Sequence, residues 1–225
     1  MTKKLISFGG WAIVIAASFY FLYNNALHYF AYNSADYSPT GFWPHFAPWL
    51  LIHIIGGMVA LVLGPFQFIS SLRKKHPLIH RTTGKIYLVS ILIGAVASLY
   101  LSINKVIINE NDLVFGSGLA GLALAWLVTS GMAYWAVRSK NFVQHREWMV
   151  RSFVVTCGFT SFRLLDRILT EQFHTDPSAT GNIMSWACWA IPLMVTEVFL
   201  QGNKIRKGNI AMANKKNDSG KNPVT

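Results

Sequence analysis

The sequence predicts an all-α protein, a polytopic membrane bundle of six transmembrane helices with both termini in the cytoplasm. The chain of 225 residues is 52% hydrophobic and only 13% charged, whereas an ordinary soluble domain carries about 25% charged residues. Its apolar residues form long uncharged runs, and its basic residues gather in every second connection between those runs. These features together are typical of an integral membrane protein.

Six apolar runs reach or approach the roughly 20 helical residues that cross about 30 Å of hydrocarbon. They occupy residues 5–23, 46–69, 86–103, 117–137, 152–172 and 183–201. The first run is long for a signal peptide and no convincing cleavage site follows it, so we interpret it as a retained span. Residues 1–210 are predicted to form one transmembrane domain, and the polar tail 211–225 is predicted to be disordered in the cytoplasm.

The distribution of the formal net charge of +11 predicts the topology. Basic residues dominate the N-terminus, the second and fourth connections and the C-terminal tail, whereas the other connections hold a single lysine, Lys105. Basic segments stay on the cytoplasmic side, so we expect a multi-pass protein of the bacterial cytoplasmic (inner) membrane. The same explanation argues against nucleic acid as a partner. The expected partners are the lipid bilayer and its anionic headgroups.

Glycines and cysteines inside the runs bear on how the helices pack. Gly56 and Gly57 in the second run and Gly94 in the third predict a close approach of helices, because small residues let backbones come together in a membrane. Cys157 and Cys188 lie in different runs at different estimated depths. A disulfide requires Cα atoms within about 7 Å, so we expect both cysteines to be free.

Ionisable residues inside the runs indicate a buried polar site. Arg163, Asp166 and Arg167 share one face of the fifth run, and a rise of 1.5 Å per residue puts Arg163 roughly 16 Å from the cytoplasmic edge. His53 in the second run has a similar estimated depth. One hypothesis is structural, with Asp166 pairing with either arginine. The other is that the surplus positive charge, with His53, binds an anion or a lipid headgroup or relays protons.

A second polar group is predicted nearer the cytoplasm. Glu197 is the one acidic residue of the sixth run, and Arg151 is its expected partner, so a structural ion pair is favoured there. His145 and Trp148 have a similar estimated depth. His76 and His80 are spaced as i and i+4 on a helix expected to start near His76, but Arg81 and its basic neighbours disfavour a divalent metal and favour an anionic headgroup. The cytoplasmic-side candidates are His76, His80, Arg81, His145, Trp148, Arg151 and Glu197.

Three segments carry a resemblance to a known family: LIHIIGGMVALVLGPFQF, HPLIHRTTGKIY and HREWMVRSF with FRLLDR. They resemble the bacterial membrane family named domain of unknown function 2306, over about residues 53–167. The resemblance implies a polytopic membrane protein and brings no agreed activity. The positions carried over are His53, His80, Arg81, Gly84, Tyr87, His145, Trp148, Met149, Arg151, Ser152 and Arg163.

Four functions remain open from the sequence. The favoured hypothesis is an integral membrane protein that handles a small anion, a lipid headgroup or protons through His53, Arg163, Asp166 and Arg167. The main alternative is a haem b electron-transfer protein with His53, His80 or His145 as ligands, although only His80 and His145 have matching depths. A lipid-modifying enzyme lacks a recognisable nucleophile motif or carboxylate pair. A non-catalytic accessory or assembly protein is the fourth reading.

Overall fold

Every regular element that the computed structural model describes is a helix, and it describes residues 2–30, 42–109 and 112–219. The α-helices are α1 (Thr2–Phe21), α2 (Phe42–Leu63), α3 (Ser70–Lys75), α4 (Pro77–Tyr100), α5 (Leu113–Arg138), α6 (Phe142–Thr156), α7 (Gly158–Phe173) and α8 (Pro177–Ser219). Shorter π- and 3-10 helical segments extend α1 to Phe30 and α4 to Asn109 and follow α2 at Pro65–Phe68. The predicted all-α class is therefore confirmed.

Polar residues placed just before the helices explain where several of them begin. The Asp112 carboxylate accepts a hydrogen bond from the amide of Phe115 (3.0 Å), and the Asn141 side chain accepts one from the amide of Gln144 (3.1 Å). The Asp176 carboxylate accepts from the amide of Ala179 at the start of α8 (2.8 Å). Such caps satisfy amides that have no partner within the helix, and they mark the boundaries of α5, α6 and α8.

Four helices in the described part of the chain are long and apolar enough to cross a membrane: Phe46–Phe68, Pro77–Ile108, Leu113–Arg138 and Pro177–Asn209. They coincide with the second, third, fourth and sixth predicted runs. The first run appears as a shorter apolar helix, Gly10–Asn24. The structure is thus a membrane helix bundle, and the count of six spans remains a prediction.

The fifth predicted run is not one helix but two, because the chain makes a turn at Cys157 between α6 and α7. The amide of Cys157 still donates to the carbonyl of Phe153, and the amide of Ser161 to the carbonyl of Cys157. The hydroxyl of Thr156 donates to the carbonyl of Ser152 (2.8 Å), a contact that bends helices. Gly158 follows at once, and its low helix propensity favours an interruption here.

A close helix crossing joins α2 and α4. A methyl group built on Gly56 would lie 2.6 Å from the carbonyl oxygen of Ser90 and 2.9 Å from the Cα of Gly94. Glycine at Gly56 and Gly94 therefore lets the two backbones meet, as the sequence predicted. The same prediction for Gly57 was wrong, because a methyl group there would have no atom within 4 Å. Beside this crossing the bundle core is closed by Tyr87, Ile91 and Ala95 of α4.

Apolar side chains cover the outside of the bundle as well as its core. Along α4, Val89, Leu92, Ile93 and Val96 are each about half exposed. Exposed apolar side chains continue along α5 and α8. A soluble monomer rarely presents so much contiguous apolar surface, whereas a bilayer solvates it without penalty.

The last helix continues beyond its predicted span. α8 extends to Ser219, into the tail for which the sequence predicted disorder, and residues 220–225 lie outside the described part. No proline or glycine interrupts the chain from Asn209 to Ser219, so nothing in this segment terminates a helix already started in the membrane.

A buried set of hydroxyl groups joins α4, α5 and α6 in the core. Tyr87 bonds to Ser152 (2.8 Å) and Thr156 (3.1 Å), and Ser130 bonds to Ser152 (2.8 Å). The indole N–H of Trp126 donates to the Thr156 oxygen (2.8 Å), while the Thr156 hydroxyl donates to a backbone carbonyl. This hydroxyl network (Tyr87, Ser130, Ser152 and Thr156) joins the three helices because its members lie on α4, α5 and α6. It ends where the Thr156 hydroxyl donates to a backbone carbonyl.

Removing the phenolic oxygen from this network is expected to destabilise the protein. Tyr87→Phe deletes a fully buried hydroxyl and leaves the Ser152 and Thr156 hydroxyls with one partner fewer, which should lower the free energy of unfolding by about 1–3 kcal/mol. Thermal unfolding of the purified protein measures this. The matched control is Tyr134→Phe on α5, where the side chain is exposed. Equal effects of the two substitutions would contradict a stabilising network.

Candidate functional site

A small cavity in the middle of the bundle contains His53. Its volume is about 160 Å³, and most of its lining is apolar, including Met58, Leu122 and Phe159. The Nδ1 atom of His53 lies 3.0 Å from the carbonyl oxygen of Gly94. A carbonyl only accepts, so Nδ1 carries the proton, and Nε2 of the neutral ring is an acceptor. The ring also contacts Trp126 and Phe159 edge-on, which fixes its orientation.

A larger cleft of about 610 Å³ lies between α1 and α7. Tyr20 and Phe21 line it from α1, and Thr160, Arg163, Asp166, Arg167, Thr170 and Glu171 line it from α7. From Thr160 to Glu171 the polar face of α7 extends for roughly 16 Å. The cleft ends at Pro177, beside the turn that joins α7 to α8. In the predicted topology this is the outer side of the membrane.

Arg163 and Thr160 line both spaces, so they mark the boundary between the small cavity and the large cleft. The Arg163 guanidinium carbon lies 5.7 Å from the centroid of the Phe162 ring. Among the described residues, no carboxylate pairs with Arg163. The Thr160 hydroxyl is buried and has no hydrogen-bond partner in the described part of the chain. The Arg163 guanidinium and the unpartnered Thr160 hydroxyl therefore both lie where the small cavity and the large cleft adjoin.

The charge pairing within the cleft differs from the sequence expectation. Arg167 pairs with Glu171 (2.8 Å) and donates to the hydroxyl of Tyr20 (2.7 Å). Asp166 forms no ion pair within residues 2–30, 42–109 and 112–219. Consecutive helical residues point about 100° apart, whereas residues four apart share a face, so Glu171 is the better partner for Arg167.

This pairing also changes the predicted charge of the site. With Glu171 included, the cleft contains two arginines and two carboxylates, so the surplus of positive charge inferred from the sequence is cancelled. Arg167 and Glu171 neutralise each other. Arg163 and Asp166 remain as an unpaired cation and an unpaired anion, one helical turn apart on the same wall.

Arg151 and Glu197, the partners expected from the sequence, form an ion pair in the structure. The Nε and Nη2 atoms of Arg151 both donate to one oxygen of Glu197, at 2.8 and 2.5 Å. Arg151 is 7% exposed and its guanidinium carbon lies 4.6 Å from the Trp148 ring centroid. Sequence reasoning missed Glu147, which stands 3.9 Å from Arg151 and 2.6 Å from Lys204. Its position four residues before Arg151 was the available signal.

The histidine-rich segment before α4 is arranged differently from the prediction. His76 is not in the helix, because its backbone (φ −131°, ψ 64°) is not helical and α4 begins at Pro77. Proline is well suited to the first helical position, so the helix begins one residue later than expected. His80 is within α4 and its Nδ1 is buried without a hydrogen-bond partner in the described residues, while Arg81 is exposed.

The three histidines proposed as haem ligands fall into two places. Among the residues lining the small cavity, His53 is the one histidine. His145 lies within electrostatic range of His80, and its Nδ1 bonds to the carbonyl of Ala133 (2.8 Å). The haem alternative therefore depends on His80 and His145. No group of three or more metal-binding side chains occurs in the described part of the chain, and Cys157 and Cys188 are free.

Comparison with known proteins gives one result. A family model described as a predicted membrane protein, domain of unknown function 2306, matches residues 50–200. Neither a curated protein nor a solved structure matches the chain. The matched region includes α4–α7 and the parts of α2 and α8 that contain His53 and Glu197, and it excludes α1, which forms the other wall of the cleft.

Proposed function

The chain belongs to the domain of unknown function 2306 family of predicted membrane proteins, and we propose that it binds the anionic group of a small molecule or a lipid headgroup at Arg163. The family sets a membrane location and no reaction. The proposal rests on one observation: Arg163 lies at the junction of two cavities and no described carboxylate pairs with it. Arg163 is exposed in the described structure, and an unpaired guanidinium that lines a cleft is free to bind an anionic partner through its N–H donors.

Neighbouring groups are chemically suited to the same ligand. The Thr160 hydroxyl can donate to an oxygen bound at Arg163, because it is buried beside it without a partner in the described structure. A guanidinium binds phosphate and carboxylate oxygens through paired N–H donors. His53 lines the small cavity on the other side of Arg163. We favour anion binding over a proton relay because the neighbouring hydroxyl network ends at Thr156, whose hydroxyl donates to the backbone carbonyl of Ser152. A carbonyl accepts a hydrogen bond but has no proton to pass on.

Loss of the guanidinium should abolish anion binding. We expect dihexanoyl phosphatidylglycerol, added to the purified protein in neutral detergent, to raise its unfolding temperature. At a ligand concentration of about a hundred times Kd, the expected gain in the free energy of unfolding is about 2.7 kcal/mol. Arg163→Gln should remove this gain. Inorganic phosphate, titrated in parallel, distinguishes a free anion from a lipid headgroup.

The matched control removes a guanidinium elsewhere. Arg146→Gln makes the same chemical change at an exposed position on α6, away from both cavities, and the stabilisation should persist. A folded Arg163→Gln protein that responds to phosphatidylglycerol like the unsubstituted protein would contradict the proposal.

A further inference from the structure

The cleft between α1 and α7 offers a ligand one free charge of each sign. Arg163 and Asp166 both line the cleft, and neither pairs with another described residue. The two other charged side chains there, Arg167 and Glu171, are bound to each other at 2.8 Å. A purely anionic ligand would satisfy Arg163 and leave the Asp166 carboxylate without a partner. A ligand with both an anion and an ammonium group would satisfy both.

The order of groups along α7 also limits the ligand. From the end of the cleft near Pro177 toward the bundle centre, the free groups follow as Asp166, Arg163 and Thr160. Beyond Arg163 lies the mostly apolar cavity of about 160 Å³, comparable to an engineered cavity of about 150 Å³ that binds benzene. The complementary ligand has an ammonium group first, an anionic group next and an apolar part last.

The spacing fits a compact headgroup. Residues three apart on a helix have Cβ atoms about 5–6 Å apart, so Asp166 and Arg163 can contact two charges separated by a few bonds. Their side chains can also pair with each other directly, which is the competing explanation. Direct pairing would leave the Thr160 hydroxyl and the adjoining cavity without a role.

From this arrangement we infer that the cleft binds a zwitterionic amphiphile, with its phosphate or carboxylate at Arg163, its primary ammonium at Asp166 and its apolar part in the cavity beside His53. The inference rests on the proposed function and adds the ammonium, the role of Asp166 and the orientation. An aminophospholipid and a soluble amino-phosphate share this chemistry. The ammonium donates charge-assisted hydrogen bonds to the Asp166 carboxylate.

Binding of three short-chain lipids tests the inference. Dihexanoyl phosphatidylethanolamine, phosphatidylcholine and phosphatidylglycerol are titrated calorimetrically into the protein in neutral detergent below their micellar concentrations. Phosphatidylethanolamine should bind about tenfold more tightly than phosphatidylglycerol. The quaternary ammonium of phosphatidylcholine has no N–H donor, so the affinity of this lipid should lie between those of the other two. Soluble phosphoethanolamine, which has both charges but no apolar part, is the fourth probe. A much weaker affinity would support the amphiphile, whereas a comparable affinity would retain the two charge contacts and contradict the placement of an apolar part in the cavity.

Substitutions at two residues, Asp166 and Arg163, separate this inference from the proposed function. Asp166→Asn should equalise phosphatidylethanolamine and phosphatidylglycerol, and Arg163→Gln should weaken both, with Arg163→Lys restoring part of the affinity. The control Asp112→Asn removes a carboxylate but retains a cap on α5, since asparagine caps equally well. An unchanged preference in folded Asp166→Asn would overturn the zwitterion inference alone. Unchanged binding of both lipids in Arg163→Gln would overturn both proposals.

Discussion

Glu197→Ala is expected to lower the free energy of unfolding by about 3 kcal/mol, because it leaves the Arg151 guanidinium buried without its main counter-charge. Arg151 is 7% exposed, and both of its short hydrogen bonds go to Glu197. Glu147, at 3.9 Å, is shared with Lys204 and compensates little. The value lies at the low end of the range for buried pairs because the Glu197 side chain is 42% exposed. Thiol-reactive dye unfolding, which detects Cys157 and Cys188 as they become accessible, measures the change.

An exposed ion pair in the same protein provides the contrast. Arg167 and Glu171 are each 54% exposed, so Glu171→Ala should cost less than 1 kcal/mol. Replacing the buried pair together, as Arg151→Met with Glu197→Leu, should recover much of the stability lost in Glu197→Ala, because neither charge is then left buried. Equal losses at Glu197 and Glu171 would contradict the assigned role of burial.

Gly56→Ala is expected to destabilise the bundle by about 1–3 kcal/mol, the usual effect of overpacking. The new methyl group would meet backbone atoms of Ser90 and Gly94 at 2.6 and 2.9 Å, and backbone cannot rotate out of the way. α2 and α4 would have to separate, which would also lengthen the hydrogen bond from His53 to Gly94. Thermal unfolding measures the loss.

The adjacent glycine is a matched control. A methyl group on Gly57 would have no atom within 4 Å, so Gly57→Ala should be neutral, or stabilising by up to about 1 kcal/mol through better helix propensity. A loss of stability at Gly57 as large as that at Gly56 would show that packing against lipid, and not the crossing, governs both positions.

The parts of this structure that depend on local sequence were predictable. Long uncharged runs indicate membrane helices because hydrocarbon excludes charge, and four of them coincide with observed helices. The Arg151–Glu197 pair could be predicted because an acidic residue within an apolar run has few basic partners at its depth. Gly56 and Gly94 indicated a close crossing for a similar reason, since small residues in a membrane run are the usual points of backbone contact.

The parts that depend on tertiary neighbours were not predictable. Tyr87, Ser130, Ser152 and Thr156 are ordinary residues for membrane helices, and only the packing of α4, α5 and α6 brings their hydroxyls together. The cleft exists because α1 approaches α7 without filling the space between them. The ion pair of Arg167 with Glu171 could have been predicted from their spacing of four residues. The hydrogen bond from Arg167 to Tyr20 could not, because it depends on how α1 packs beside α7.

The turn at Cys157 makes the chain length between the Arg151–Glu197 pair and the cleft a determinant of which face of α7 lines the cleft. Arg163 follows Arg151 by 12 residues across that turn, and each helical residue advances the azimuth by about 100°. Deleting or inserting one residue there would rotate the Arg163 face of α7 by that angle relative to α6, which contains Arg151. Family members that differ by an insertion or deletion at this turn would therefore present a different face of α7 to the cleft.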